Sequence, residues 1–142
     1  MRKILQKILR ILAKIALKKY KPIVVGITGS VGKTSTKEAI YSVLKSHFGE
    51  RRVRKNEKNY NNEIGVPLTV FNLKTGGNSI FKWIPKFIKI FWMIIFKVDY
   101  PDFLILEMGA DKPKDIEYLL DFVKHKVGVI TTVGEIPVHV EF

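Results

Sequence analysis

The sequence contains no cysteine among its 142 residues. This absence excludes disulfide scaffolds, Cys-ligated zinc sites, iron–sulfur clusters and thiol nucleophiles, so any catalysis must use oxygen and nitrogen groups. It is also compatible with a reducing compartment, and we expect a cytoplasmic protein. The length and the 46% hydrophobic content suit one compact globular domain.

Acidic residues are missing from the front of the chain. Residues 1–22 contain eight Lys or Arg and no Asp or Glu, whereas residues 99–142 contain nine acids against four bases. The formal net charge of +12 is therefore distributed unevenly. This distribution argues against a nucleic-acid binder with one continuous basic face, and we expect no nucleic-acid partner.

A long uninterrupted apolar run is also missing. The most apolar stretch spans residues 80–98, and its longest uncharged run is Ile90 to Phe96. A helix that crosses a bilayer needs roughly 20 apolar residues. The stretch therefore predicts a buried or interfacial helix. The residues that interrupt it are Lys82, Pro85, Lys86, Lys89 and Lys97.

Residues 1–21 have the pattern of a basic amphipathic helix, with apolar residues at helical spacing on one face and Lys or Arg on the other. The charges recur through the apolar positions and no small-residue cleavage site follows, which excludes a secretory signal. Two interpretations remain open: the helix packs on the domain, or it makes peripheral contact with an anionic membrane. With the stretch at 80–98 it would make a two-point membrane contact.

The rest of the chain alternates short β-rich runs with helical segments. Strands are predicted at 23–27, 103–106 and 127–133, and helices at 34–48 and 114–124. Nearly uninterrupted apolar strands are typical of a parallel sheet that is covered on both faces. We therefore expect an α/β fold with a P-loop-type parallel sheet and flanking helices, preceded by the basic helix.

The segment with the most chemical content is GITGSVGKT at residues 26–34, between the first predicted strand and the first long helix after it. Glycines let successive backbone N–H groups point at phosphate oxygens, and the helix N-terminus adds partial positive charge. Lys33 would reach the β- and γ-phosphates, and Thr34 would offer its hydroxyl to Mg²⁺. The strict pattern is not met, because Ile27 stands at the first glycine position and Gly26 precedes it. The predicted cofactor-binding residues here are Gly29, Ser30, Val31, Gly32, Lys33, Thr34 and Ser35.

A phosphate-binding loop also needs an acid for the metal. Glu107 ends the apolar run FLILE, and in a parallel sheet it emerges at the edge where the loop lies. It is the best candidate metal ligand. Three asparagines precede Glu63, more than helix capping explains, which favours a ligand role for this cluster. His139 follows the third strand at the same edge and is a further candidate, since imidazole binds metals.

Four segments together resemble the central ATPase domain of the Mur ligases. They are GITGSVGKT (26–34), NNEIGVP (61–67), LEMGA (106–110), and the region from GVIT (128–131) to HVEF (139–142). Their order is that of the family, and the resemblance extends from about Tyr20 to Phe142. Within the family, the members that add D-alanyl-D-alanine to a UDP-N-acetylmuramoyl tripeptide are the most similar.

The resemblance implies ATP-dependent amide synthesis in peptidoglycan assembly. The peptide carboxylate attacks the γ-phosphate to give an acyl phosphate and ADP, and the incoming amine then displaces phosphate. It further implies that Lys33, Glu107 and His139 are catalytic, that Thr34, Glu107 and His139 bind Mg²⁺, and that Asn62 and Glu63 line the nucleotide pocket. The implied small molecules are ATP, a UDP-muramoyl peptide and D-alanyl-D-alanine.

The sequence also departs from the family. Only about 22 residues precede the first strand, where family members have a uridine-nucleotide domain, and the segments beyond the match are missing. We therefore expect a basic helix at 1–21, an incomplete central domain at 22–142, and an N-terminal fragment that is inactive alone. The alternatives are another P-loop ATPase or folylpolyglutamate-type ligase, a non-catalytic nucleotide-binding fragment, or a basic module on membranes or nucleic acid.

Overall fold

The computed structural model describes residues 2–110 and 112–134. These ranges contain five helices, four strands and one 3₁₀ turn at Glu50–Arg52. The helices are α1 (Arg2–Tyr20), α2 (Lys33–Phe48), α3 (Gly65–Val70), α4 (Ile80–Ile95) and α5 (Asp115–Leu120). The strands are β1 (Ile23–Thr28), β2 (Val53–Lys55), β3 (Phe103–Glu107) and β4 (Val127–Ile130). Along the chain, α3 and α4 are the consecutive helices.

The four strands form one sheet in the order β2-β3-β1-β4, and every neighbouring pair is parallel. This confirms the predicted parallel sheet. Ile27 of β1 is paired with Glu107 of β3, so the carboxyl ends of these two strands lie side by side. Ligands of open parallel sheets bind at this edge.

Alternate residues of the central strands point into two separate cores. Val25, Ile27 and Ile105 pack with Ile40 and other side chains of α2 on one face of the sheet. On the other face, alternate residues of the same strands pack with α1, α3, α4 and α5. Both faces of the two central strands are therefore covered, which is why β1 and β3 appear as almost continuous apolar runs.

Helix α1 packs on the domain, which agrees with the first of the two interpretations of the basic helix. Its buried residues all face the larger core, and Arg10 and Lys14 form ion pairs with Asp121 just after α5. The Arg10 guanidinium holds the pKa of the Asp121 carboxyl below its usual value. The buried residues of the helix are Leu9, Leu12, Ala13 and Ala16.

The first 16 residues of the stretch at 80–98 form α4, which contains Pro85 and buries Trp83, Ile90 and Met93. Its last carbonyls accept hydrogen bonds from α1: Lys19 Nζ donates to the carbonyls of residues 93, 94 and 96 at 3.0, 2.9 and 2.6 Å. No helix in the described ranges is long and apolar enough to cross a membrane.

Some element boundaries differ from the predictions. β4 ends at Ile130, short of the predicted 133. Thr131 N still donates to Thr28 at the end of β1, and the Thr132 carbonyl then accepts from Ser30 N in the loop after β1. α5 covers only part of the predicted 114–124: it begins at Asp115, because Lys114 before it has a φ of 75°, and it ends at Leu120. β2 and α3 were not predicted. β2 has only three residues, two of them basic, and so shows no apolar run.

Candidate functional site

The loop between β1 and α2 depends on two glycines in left-handed conformations, Gly29 with φ 137° and Gly32 with φ 88°. Side chains other than glycine rarely adopt such φ values. A Cβ atom on Gly29 would also lie 2.1 Å from Thr131 Oγ1. Close packing and backbone conformation therefore both require glycine at position 29.

The segment after β4 braces this loop. Ser30 N donates to the Thr132 carbonyl at 2.8 Å, and Thr131 N donates to the Thr28 carbonyl at 2.9 Å. The loop then leads directly into α2, whose first N–H groups have no partner within the helix. The result is a firmly held turn at a helix N-terminus, a geometry suited to binding an anion such as phosphate.

Lys33 is the first residue of α2 and lies over this loop. Its Nζ donates to the carbonyls of Gly29 at 2.6 Å and Ser30 at 3.1 Å. The ammonium is thereby held against the loop that the sequence assigns to phosphate binding. Val31, Thr34 and Ser35 belong to the same turn and to the start of α2.

Glu107 stands at the end of β3, and only 7% of its surface is exposed. Thr34 Oγ1 donates to its Oε2 at 3.0 Å. The structure thus brings together the hydroxyl and the carboxylate that the sequence selects as metal ligands, although they are 73 residues apart. Their role in metal binding stays a prediction.

Lys37 is a member of this site that the sequence analysis missed. It is 1% exposed, and its Nζ lies 3.2 Å from Glu107 Oε2 and 3.8 Å from Glu38 Oε1. A buried charge is costly unless it is paired, and the Glu107 carboxylate supplies the pairing. The spacing in the sequence could have indicated this residue, since Lys37 lies one helical turn after Lys33 and therefore on the same face of α2.

Two asparagines position Glu107 from the other side. Asn56 is 1% exposed, and its side chain forms two hydrogen bonds with the Glu107 backbone, each 2.9 Å long. Its Nδ2 donates to the Glu107 carbonyl, and its Oδ1 accepts from the Glu107 N–H. Asn61 Nδ2 donates to Glu107 Oε1 at 3.4 Å. The backbone and both carboxylate oxygens of Glu107 are therefore held from several directions.

Asn62 has a structural role at this point. Its Oδ1 accepts hydrogen bonds from the backbone N–H groups of Ile64 at 3.2 Å and Gly65 at 2.9 Å, which satisfies donors at the start of α3. The asparagine of the cluster that reaches Glu107 is thus Asn61. The predicted nucleotide contacts of Asn62 and Glu63 stay predictions.

The donor set around Thr34 and Glu107 suits a hard cation. Both offer oxygen, and Mg²⁺ is typically held by one or two carboxylates together with substrate phosphates and water. Within the described part of the chain, no three His, Cys, Asp or Glu side chains converge on a metal-sized site. His139, the predicted second metal ligand, lies outside the described residues.

A cavity of about 540 Å³ lies between α1, α3 and α4. Trp83, Phe87 and Leu68 are among its apolar walls, and Asn62 lines it on the side of the asparagine cluster. None of residues 29–35 lines this cavity. It is therefore separate from the phosphate-binding geometry of the loop.

Comparison with known proteins points to one family. Residues 27–82 match the Mur ligase middle domain. The chain is 40% identical over 111 residues to the UDP-N-acetylmuramoyl-tripeptide–D-alanyl-D-alanine ligase of Synechocystis, which covers 78% of this chain and 18% of that protein. The Bacillus subtilis enzyme of the same name is 32% identical over 124 residues, covering 87% of this chain and 21% of that protein.

Solved structures give the same picture. The MurF ligase of Thermotoga maritima in complex with ADP superimposes with a TM-score of 0.64 at 32% identity, covering 91% of this chain and 24% of that one. MurF from Acinetobacter baumannii, at 23% identity and a TM-score of 0.63, shares the fold. The chain spans about a fifth of the length of the curated relatives it matches.

Proposed function

The chain is a relative of the Mur ligases, whose middle domain it matches, and on this premise we propose that it binds ATP with Mg²⁺ for the synthesis of an amide bond. One observation supports this most strongly. The glycine loop, the Lys33 ammonium and the Thr34–Glu107 pair meet at the carboxyl edge of the sheet, with Thr34 Oγ1 3.0 Å from Glu107 Oε2. Phosphoryl transfer from ATP needs a phosphate cradle and a metal-binding oxygen pair next to each other.

Each of these residues has a proposed role. The loop at 29–32 and the N-terminus of α2 would bind the phosphates through backbone N–H groups, and Lys33 would neutralise charge on the β- and γ-phosphates. Thr34 and Glu107 would hold Mg²⁺, which supplies charge stabilisation to the transferring phosphoryl group. Asn56 and Asn61 would keep the Glu107 carboxylate in place.

The predicted roles of three residues rest on the family resemblance. Asn62 and Glu63 would line the nucleotide pocket, and His139 would bind a second metal ion. Ser35, next to Thr34 at the start of α2, belongs to the same phosphate-binding turn.

The proposed reaction has two steps. A substrate carboxylate oxygen attacks the γ-phosphorus, the bond to the β,γ-bridging oxygen breaks, and ADP leaves with its electron pair. An amine nitrogen then attacks the acyl carbon of the acyl phosphate, inorganic phosphate leaves and the amine loses a proton. Negative charge grows on phosphoryl oxygens in the first step, which is where a fixed ammonium such as Lys33 stabilises the transition state.

The substrates are proposed from the relatives. The names of the Synechocystis and Bacillus subtilis proteins specify a UDP-N-acetylmuramoyl tripeptide and D-alanyl-D-alanine, and we propose the same pair and a role in peptidoglycan precursor synthesis. The chain spans 18% and 21% of these proteins, and we propose that the complete reaction also uses the regions of the relatives that lie outside this match.

The experiment that tests the proposal is calorimetric titration of this chain with ATP in the presence and absence of Mg²⁺. Lys33→Ala should weaken binding by about 10- to 100-fold, because a hydrogen bond to a charged group contributes about 1.5–3 kcal/mol. Lys45→Ala near the far end of α2, where the side chain is 41% exposed, is the matched control and should bind normally. Equal affinity of the two variants would refute the assignment of the phosphate site.

We also propose a cytoplasmic location with peripheral contact to an anionic membrane. The lack of cysteine and the acid-free basic front of the chain support this proposal. It concerns a surface of the molecule that is separate from the nucleotide site.

A further inference from the structure

Helix α4 has an outer face that nothing in the described chain covers. While Trp83, Ile90 and Met93 enter the core, the residues of the opposite side are exposed, with Phe81 reaching 83%. An exposed apolar patch of this kind marks an interaction site or an aggregation hazard. The exposed apolar residues are Ile80, Phe81, Ile84, Ile88, Phe91, Trp92, Ile95 and Phe96.

Helix α1 has a similar second face. Ile4, Ile8, Ile11 and Ile15 are exposed and follow one another at spacings of three and four residues, so they form a single stripe along the helix. This stripe is distinct from the face formed by its four buried residues. The apolar side of α1 is thus wider than the packing against the domain requires.

The two helices lie next to each other and run in the same direction. Their N-terminal parts share the 540 Å³ cavity, which Leu5 of α1 and Trp83 of α4 both line. Their C-terminal ends are joined by the hydrogen bonds of Lys19, and Tyr20 Oη donates to the Met93 carbonyl at 2.6 Å. The pair is therefore anchored on its inner side, while both apolar stripes stay exposed.

The stretches of chain that carry the two stripes contain charge of one sign only, and Asp121, just after α5, is an acid that pairs with Arg10 and Lys14 of α1. No Asp or Glu occurs in residues 1–37 or 64–98. On α1, Lys7, Lys14 and Lys18 lie three, four or seven residues from Ile11 and therefore beside the isoleucine stripe. On α4, Lys89 lies three residues before Trp92, and Lys97 follows the end of the helix. Each stripe thus has an exposed cationic margin.

We infer that the outer faces of α1 and α4 together form a docking surface for a membrane rich in anionic lipids. Isoleucine, phenylalanine and tryptophan side chains would enter the boundary between headgroups and acyl chains, and the lysines would meet the lipid phosphates. Such a surface rests on the bilayer without crossing it, in keeping with the interrupted apolar run of α4. A nucleic acid would not match faces whose centres are apolar.

This inference rests on the proposed peripheral membrane contact, for which it names the surface, and it is independent of the proposed ligase activity. Docking would involve the α1 and α4 face, whereas the nucleotide site is built from the β1–α2 loop and the end of β3. Lys33→Ala should therefore leave membrane binding intact, and changes on the outer face of α4 should leave ATP binding intact. A failure of one proposal is thereby distinguished from a failure of the other.

The experiment uses the intact chain and sedimentation with vesicles of phosphatidylcholine, alone or mixed with phosphatidylglycerol. We expect binding to the mixed vesicles that weakens as salt is raised, because salt screens the lysines. Lys82→Gln and Lys89→Gln should each weaken binding about fivefold. The double variant Phe81→Gln/Phe91→Gln should weaken it by about tenfold or more.

Matched controls lie on α2, on the opposite side of the sheet. Val43 is 67% exposed, so Val43→Gln removes an equally exposed apolar side chain, and Lys45→Gln removes an exposed charge. Both should bind vesicles like the parent chain. Thermal unfolding of every variant checks that these surface changes leave the fold intact.

Tryptophan emission gives a reading that needs no variant. Trp92 is 57% exposed, whereas Trp83 is 7% exposed and its Nε1 donates to the Gly77 carbonyl at 3.0 Å. Docking should shift the emission of Trp92 to shorter wavelength in the presence of anionic vesicles. Equal binding to neutral and anionic vesicles, an unshifted emission, or self-association abolished by Phe81→Gln/Phe91→Gln without vesicle binding would each overturn the inference.

Discussion

Glu107 illustrates how much a single residue in this fold depends on distant partners. Its carboxylate contacts Thr34, Lys37 and Asn61, and its backbone pairs with Asn56. The Lys37 ammonium contacts Glu107 Oε2, the oxygen that also accepts the hydrogen bond from Thr34. The negative charge of the carboxylate is therefore compensated by a cation of the protein itself. A metal ion at this site would share Glu107 with that lysine.

At the residue scale, we predict that Lys37→Met lowers the free energy of unfolding by about 3–5 kcal/mol, because it leaves the buried Glu107 carboxylate without its partner. Urea unfolding measures this. Mg²⁺ alone should then raise the melting temperature of the variant more than that of the parent, since the ion replaces the missing charge.

The control for this prediction is Lys45→Met, the same change at an exposed position of the same helix, which should alter stability little. Adding Glu107→Gln to Lys37→Met should restore part of the lost stability, because the uncompensated charge is then gone. Equal effects of the two lysine substitutions would contradict the prediction.

At the scale of elements, the β1–α2 loop combines a local motif with a tertiary brace. Its glycines are visible in the sequence, and they predict a tight turn between a strand and a helix. The sequence did not indicate that residues 131 and 132 hold this loop, although Thr131 explains why Gly29 tolerates no side chain.

We predict that Gly29→Ala destabilises the protein by about 1–3 kcal/mol and weakens ATP binding, because the new Cβ meets Thr131 and the φ of 137° is strained for alanine. Thermal unfolding and calorimetric titration measure the two effects. Gly49→Ala is the control. The φ of Gly49 is also positive, at 88°, but an added Cβ there would have no atom within 4 Å, so ATP binding should be unchanged. If Thr131→Gly fails to relieve Gly29→Ala, the steric explanation is wrong.

At the scale of the whole molecule, the two faces of α1 have different roles, one in the core and one in the proposed membrane surface. Its inner face completes the larger core, which also contains residues of α3, α4, α5 and the sheet, and its outer face contributes to the proposed membrane surface. The two interpretations of the basic helix are thus compatible, because they concern different faces of one helix.

We predict that Leu9→Ala lowers the free energy of unfolding by about 2–5 kcal/mol, since Leu9 is fully buried and its loss leaves a cavity. Ile11→Ala on the same helix, 59% exposed, should change stability by less than about 0.5 kcal/mol. Chemical denaturation of both variants gives the comparison. A small effect of Leu9→Ala would mean that α1 contributes little to the core.

The sequence by itself determined the class of fold, the order of its main strands and helices, the glycine loop and the position of Glu107 at a strand end. These follow from local patterns: apolar periodicity, glycine at tight turns, and an acid after an apolar run. Tertiary structure alone decided that Lys37 is buried against Glu107 and that Asn61, and not Asn62, contacts the Glu107 carboxylate. It also decided the short strand β2 and the face of α1 that is buried. The physical reason is that each of these depends on contacts between segments far apart in the chain, which no local pattern specifies.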